Sequence, residues 1–450
     1  MSGIDTGRSG LEGDFSIEVL ADVVPEGWVL EALGDMGPRK LRGRTLSAPF
    51  MVWFVILMGL HRRTSYENLL EWIRGTWWGR RMWRSGKRPG SSAISKARDR
   101  IGVAPVRSLF ERTAGLWANR HAGVIVNGRR VLALDGLTYK VADSAANRDH
   151  FGLPGSSRGR SAFPQMRSVH LLDIGTRTVR DVEPGPYSDG ELTVTRRLLP
   201  RIPIGSLLLM DRNFLAYEVL FKIHRDRSSD FVVRAKKCIK PSLVKELSAG
   251  DEIVDLKIPQ SARRQDRRLP SVWRMRRVTF VHEGDSDKDP MVLLTTILDP
   301  AVLTKEELVE LYLRRWEIET SNDELKTHLA SCATVNCPAP LRSTTPDRVL
   351  QELYGFLIAY NAIRQLMCES GKANNVDPLR ISFVASLQRV REANYEMNRL
   401  PSCQLPPRYA ELLGSVARIL VPLRPGRRVR REVKVKMSKY PVKRYRLTGS

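Results

Sequence analysis

The sequence predicts an α/β core that carries a β-rich insertion, with an all-helical region before it and helices and a basic tail after it. Three patterns predict this. Residues 1–125 hold helix-period, capped segments and no strand alternation. After residue 126, short apolar runs that end in an acid, VLALD at 131–135 and LLLMD at 207–211, alternate with helical stretches. Between 237 and 300, strand-like pieces are separated by polar, charged loops. The boundaries read as 1–125, 126–236, 237–300, 301–370 and 371–450.

In the helical region, a segment around Trp28–Met36 leads into the apolar run Ala48–Leu60, broken by Pro49. That run is too short to span a bilayer and reads as a buried helix. Thr64-Ser65-Tyr66-Glu67 offers a helix cap with an acid in the first turn. Pro89-Gly90 breaks the chain, and Ser91 or Ser92 starts a helix carrying Lys96, Arg98 and Arg100. A short helix, a turn and a basic helix resemble a helix-turn-helix unit. Residues 61–120 contain 14 Lys or Arg against 4 acids, and Trp77, Trp78 and Trp83 lie among Arg80, Arg81 and Arg84. This suits a nucleic-acid surface; the competing reading is a solvated basic face with its tryptophans in a core.

The chain has 450 residues and a formal net charge of +25, which points to a polyanionic partner. Five cysteines without a CxxC pair exclude a disulfide scaffold and argue against structural zinc. The first twenty residues lack an export signal, so a soluble, cytoplasmic, nucleoid-associated protein without a membrane role is expected. No P-loop and no GxSxG motif occurs.

The core begins with the strand Arg130–Asp135. Strands at Met166–Ile174 and Thr178–Val182 are joined by Gly175-Thr176 as a hairpin, and a helix follows at 190–200. Ser206–Asp211 and Phe231–Arg234 are further strands. A helix is expected from Lys305 to Ala330 and another over 346–370. The tail Arg424–Arg446 holds 11 Lys or Arg and one acid, and reads as a basic arm.

On the helix at 305–330, Tyr312, Arg315, Glu319 and Lys326 fall within about 60° of one another at 100° per residue. A neighbouring stripe of Leu311, Ile318, Leu325 and Leu329 can anchor the helix. An ordinary ion-pair ladder is one explanation; a phosphate and metal site is the other. Asp135 and Asp211 end core strands, where side chains commonly face a shared crevice. With Glu319 they form a hard-oxygen set suited to Mg²⁺ or Mn²⁺, and two such ions serve phosphodiester chemistry. Arg315 and Lys326 would hold phosphates. Asp143, Asp173, Asp189 and Glu191 read as structural acids, as do His150 and His170 as lone histidines. Trp316 reads as a packing residue, with base stacking as the alternative.

The spacing Y-x2-R-x3-E-x6-K in YLRRWEIETSNDELK resembles the signature of the DDE transposases of the insertion sequence 4 family. LALDGLTYKVADSAANRDHFG and LLLMDRNF resemble the family's two aspartate segments. LRSTTPDRVLQELYGFLIAYNAIR and SAISKARDRIGVAPVRSLFER resemble its closing helix and N-terminal helical domain. The likeness covers roughly residues 20–370 and the basic tail. Leu137 departs from the family, where Thr often follows the glycine.

The resemblance implies an RNase H-like core with Asp135 on the first strand, Asp211 after the fourth and Glu319 on the following helix, as catalytic residues and ligands of two Mg²⁺ ions, with Mn²⁺ as a substitute. The 108 positions from Asp211 to Glu319 leave room for the β insertion. It further implies DNA contacts by Tyr312, Arg315 and Lys326, with Lys96, Arg98 and Arg100 as candidates in the N-terminal domain. The partners are double-stranded DNA (terminal inverted repeats and target) and a second copy in a synaptic homodimer. A DNA-binding protein without catalysis and a metal-dependent nuclease without strand transfer are the alternatives; an RNA-directed role has no RRM or KH signature behind it.

Overall fold

The computed structural model describes residues 24–34, 46–62, 64–75, 89–121, 123–156, 159–281, 290–329, 331–332, 335–338, 340–397, 400 and 402–422. The Trp77–Arg84 stretch and the basic tail lie outside these residues. Two compact units divide the chain. The helical unit takes Met1–Thr113, Glu324–Pro338 and Asp347–Arg431; the sheet unit takes Ala114–Asp323, Ala339–Pro346 and Glu432–Ser450.

The helical unit opens with α1 (Glu26–Leu33), α2 (Ala48–Leu60), α3 (Tyr66–Gly75) and α4 (Ser91–Ile101), followed by α5 (Ala104–Arg120), which continues into the sheet unit. Every residue of α2 is buried, as a helix without a polar face must be. Ser65 Oγ accepts from Asn68 N at 3.1 Å and caps α3. At α4 the cap position falls to Gly90, with no side-chain bond, instead of a serine.

The sheet unit is built on β1 (Arg129–Lys140), α6 (Ala145–Phe151), β2 (Gln165–Asp173), β3 (Val179–Pro186), α7 (Glu191–Leu198), β4 (Leu207–Met210), α8 (Tyr217–Asp226) and β5 (Asp230–Arg234). Then come β6 (Ser242–Ser248), β7 (Asp251–Lys257), α9 (Gln260–Gln265), β8 (Val272–Phe280), β9 (Met291–Thr295), α10 (Lys305–Leu313) and α11 (Trp316–Asp323). One mixed sheet runs in the order β3-β2-β1-β4-β5-β9-β8-β7-β6. The pairs β1-β4 and β4-β5 are parallel and the others antiparallel. Residues 131–134 and 207–210 are buried without alternation, because both faces of these central strands are covered. The core gathers Leu132, Leu134, Leu208, Met210, Phe214 and Phe231, with Trp273 and Met275 of β8.

The strands of 237–300 do not stand apart. β9 pairs with β5 through Leu293↔Arg234 and Thr295↔Val232, so β6–β9 extend the core sheet. Arg276 and Asp251, both buried, join β8 to β7 at 2.6 and 2.7 Å, and Arg276 also donates to Leu303 O at 2.6 Å.

The helix expected over Lys305–Ala330 is broken. Arg314 N reaches Leu311 O and Arg315 N reaches Tyr312 O at 3.1 and 3.0 Å, so one tightened turn separates α10 from α11. Beyond Asp323 the backbone widens into a π-helix, Glu324–Leu329, which belongs to the helical unit. That unit closes with α12 (Pro346–Asn374), α13 (Phe383–Met397) and α14 (Leu405–Ala417). Among the described residues, no helix is long and apolar enough to cross a membrane.

Candidate active site

Leu134 of β1 pairs in parallel register with Met210 of β4. Asp135 and Asp211 come next on these neighbouring strands, whose axes run about 4.8 Å apart. Asp135 Oδ1 accepts from Gly136 N at 2.9 Å. Asp211 Oδ1 accepts from Asn213 N at 2.8 Å and caps the turn Arg212–Phe214. Burial pushes the Asp135 carboxyl up to about 6; the Gly136 bond and Arg315 oppose this, while Asp211 and Glu191 add to it.

The third acid arrives on α11. Arg315 Nη2 donates to Glu319 Oε1 at 2.9 Å, the i,i+4 relation that survives the helix break. One turn on, Asn322 Nδ2 donates to Asp135 Oδ2 at 3.1 Å and fastens α11 to β1. Arg177, at the β2–β3 hairpin with φ 56°, bonds Glu317 Oε2 at 2.5 Å and holds the same helix from another side. Tyr312 is buried, and Arg315 lies 5.9 Å from its ring centroid. Burial raises the Tyr312 hydroxyl's pKa, opposed by Arg315 and Arg234. Arg315 is pulled down by burial, yet Tyr312, Glu319 and Asp135 outweigh this and hold its pKa above the ordinary value. Its Nε is buried with no hydrogen-bond partner among the described residues.

Asp135, Asp211, Arg315, Glu319 and Tyr312 are thus all in the sheet unit. Asp211 follows the end of β4, but β1 does not end at Asp135 as expected: it runs on to Lys140 because it stays paired with β2, and Asp135 stands where its pairing with β4 stops. Lys326 falls on the π-helix, in the helical unit. Lys96 and Arg100 are exposed on α4. Arg98 is buried: Nε donates to Gln351 Oε1 at 3.2 Å, Nη1 to Tyr66 Oη at 3.0 Å and Nη2 to Arg348 O at 2.7 Å. A guanidinium held this way cross-links the helical unit. Trp316 corrects its packing expectation, because the residue is 54% exposed.

Glu191 was read as a structural acid, yet its carboxyl lies in the space that a Cβ on Gly136 would fill, 2.5 Å from Oε1. It sits in the first turn of α7, 3.6 Å from Arg167. Burial raises its pKa, with Arg167 opposing and Asp211 adding. Asp173, by contrast, takes Gly175 N and Thr176 N at 3.0 and 3.1 Å to shape the hairpin. Asp189 pairs with Arg197 at 2.8 Å, and Asp143 lies 3.5 Å from Arg148. Asn322 and Arg234 were not singled out in the sequence. Asn322 follows Glu319 at i+3, a spacing that places it on the same helix face.

Among the described residues, no three carboxylate, imidazole or thiol groups converge on one point. The chemistry of the donor set nevertheless fits a hard divalent cation. Two carboxylates stand side by side with a third over Gly136, and the cation beside them is the Arg315 guanidinium.

The family described as "Transposase DDE domain" matches residues 127–362, and "Insertion element 4 transposase N-terminal" matches 14–111. The transposase InsG for insertion sequence element IS4 of Escherichia coli (strain K12) is 25% identical over 426 residues, covering 94% of this chain and 93% of that protein. The putative transposase InsZ of the same organism is 26% identical over 223 residues, covering 47% of this chain and 68% of that one. The cryo-EM structure of a piggyBac transposase synaptic complex with hairpin DNA aligns at a TM-score of 0.42 and 10% identity, over 88% of this chain and 84% of that one. The chain belongs to the DDE transposases of the insertion sequence 4 family, enzymes that cleave and transesterify DNA.

Proposed function

We propose that the chain binds the terminal inverted repeats of its own mobile element, cuts the DNA there and joins the freed ends to target DNA, using Asp135, Asp211 and Glu319 on an RNase H-like core. The observation that carries this reading is the parallel pairing of Leu134 with Met210, which sets two aspartates on neighbouring strands, one of them bonded to Asn322 of the helix that bears Glu319. Asp135, Asp211 and Glu319 would hold two Mg²⁺ ions, for which Mn²⁺ can substitute. Such ions supply Lewis-acid stabilisation of the attacking and leaving oxygens.

The protein's own groups orient the strand. Arg315 has a buried, unpartnered Nε that a phosphate oxygen would satisfy. Tyr312 supports that guanidinium from beneath. Trp316, one residue on and 54% exposed, suits stacking on a base. Lys326 is assigned a phosphate contact, as are the exposed Lys96 and Arg100 of α4; Arg98 keeps α4 in place. Two element ends are processed together, so a homodimer on DNA is the working form.

The test is cleavage of labelled DNA carrying the ends of the encoding locus, with and without Mg²⁺ or Mn²⁺. Cuts at defined end positions that require the cation and vanish in Glu319→Gln support the reading. Binding without cleavage in either protein sinks the catalytic assignment. Scattered cation-dependent cutting would point to a nuclease.

A further inference from the structure

Lys326 stands on a rare backbone form. A π-helix turns each residue through less than the 100° of an α-helix, so the segment Glu324–Leu329 re-aims every side chain it carries. Such a segment persists only when its surroundings hold it. The holding group is Glu324, the first residue of the π-helix, which is 4% exposed. Its Oε2 accepts from Tyr360 Oη at 2.9 Å, and its Oε1 lies 3.5 Å from Arg364 Nη1. Tyr360 and Arg364 are both wholly buried on α12, one helical turn apart. The Tyr360 ring is fixed in turn by Phe383, with centroids 5.5 Å apart. Leu325 and Leu329 are buried as well, while Lys326 is only partly buried.

Other polar groups of α12 serve different segments. Gln351 binds Arg98 of α4, Glu352 binds Arg62 after α2, and Glu369 accepts from Tyr409 of α14. Tyr360 and Arg364 reach the π-helix. A buried carboxylate needs both a cation and a donor, and both come from one face of one long helix.

We propose that Glu324, Tyr360 and Arg364 are positioning residues for Lys326: their buried contact sets the rotation of the π-helix and hence where the lysine ammonium meets the DNA backbone. The proposal rests on the assignment of Lys326 to a phosphate.

The experiment measures binding of the full-length protein to duplex DNA carrying the element ends, by fluorescence anisotropy across a salt series. The proteins are wild type, Lys326→Ala, Tyr360→Phe, Glu324→Gln and each of the last two combined with Lys326→Ala. Thermal melts check that each variant folds. Lys326→Ala should reduce the slope of log K against log salt by about 0.9. Tyr360→Phe and Glu324→Gln should each weaken binding about tenfold and reduce the slope by a similar amount. In the Lys326→Ala background the same two changes should alter affinity less than about twofold. Equal losses in both backgrounds, or an unchanged slope with Tyr360→Phe and Glu324→Gln, would overturn the positioning role and leave the Lys326 contact standing. A wild-type slope and affinity in Lys326→Ala would overturn the phosphate assignment itself, and the positioning role with it.

Discussion

Asn322 donates to Asp135 across 3.1 Å and ties the helix that carries Glu319 to the strand that carries the first aspartate. The bond runs from α11 to β1, residues 187 positions apart in sequence. Its loss should loosen the site more than the fold. Asn322→Ala is expected to slow single-turnover end cleavage about tenfold, the equivalent of one buried hydrogen bond, with a small change in melting temperature. Parallel cleavage and melting measurements check this; an unaltered cleavage rate would remove Asn322 from the site.

Gly136 is open to a direct test of the Glu191 carboxyl beside it. A Cβ at position 136 would meet Glu191 Oε1 at 2.5 Å. Gly136→Ala should therefore destabilise the fold by less than about 1 kcal/mol, because the colliding atoms are the end of a flexible side chain that can turn aside. Glu191→Ala added to Gly136→Ala should recover most of that loss, because it removes the colliding group. Urea unfolding of the single and double variants gives the coupling.

His61 makes the helical unit sensitive to acid. Burial lowers its pKa to about 4, and Arg391 adds to this. Its Nε2 is buried without a hydrogen-bond partner among the described residues, and its ring centroid is 5.0 Å from that of Trp72. Between pH 6.5 and 4 the unfolded chain then binds a proton that the folded one does not. Stability from this group is full above pH 6.5 and falls as the pH drops toward 4, by up to about 3 kcal/mol. His61→Gln should flatten that part of the melting-temperature profile between pH 4 and 7. A profile identical to wild type would contradict the assignment.

The contact of α2 with α12 depends on two glycines. A Cβ on Gly355 would lie 2.6 Å from Val55 O, and one on Gly59 would lie 2.7 Å from Phe356 Cα. Backbone cannot yield as a side-chain end can. Gly355→Ala should destabilise by about 1–3 kcal/mol. Gly414 on α14 meets nothing within 4 Å, so Gly414→Ala should stabilise by about 0.5–1 kcal/mol through helix propensity. Melting both variants side by side separates crowding from propensity.

The residue types and short-range spacings of the site were legible in the sequence for a local reason. Apolar runs closed by an acid mark buried strands: Asp211 follows the end of one, and Asp135 stands in the other where its parallel pairing stops. The i,i+4 spacing of Arg315 and Glu319 needs only a single helical turn, and it survives on either side of the broken backbone. The wholly apolar α2 could be nothing but buried.

Relations between distant segments were decided by packing. Helix periodicity does not foretell the tightened turn at Arg314–Arg315, nor the π-helix that carries Lys326 and whose first residue, Glu324, meets Tyr360 far along the chain. Glu191 reads as one acid among several until α7 lays it over a glycine. Arg98 looks like its exposed neighbours Lys96 and Arg100 until Gln351 and Arg348 of α12 claim its guanidinium. Residue types on buried strands and one turn apart on a helix are readable from the chain, since backbone geometry sets those distances. Which charges are buried and paired depends on surfaces brought together from across the chain, and folding alone settles it.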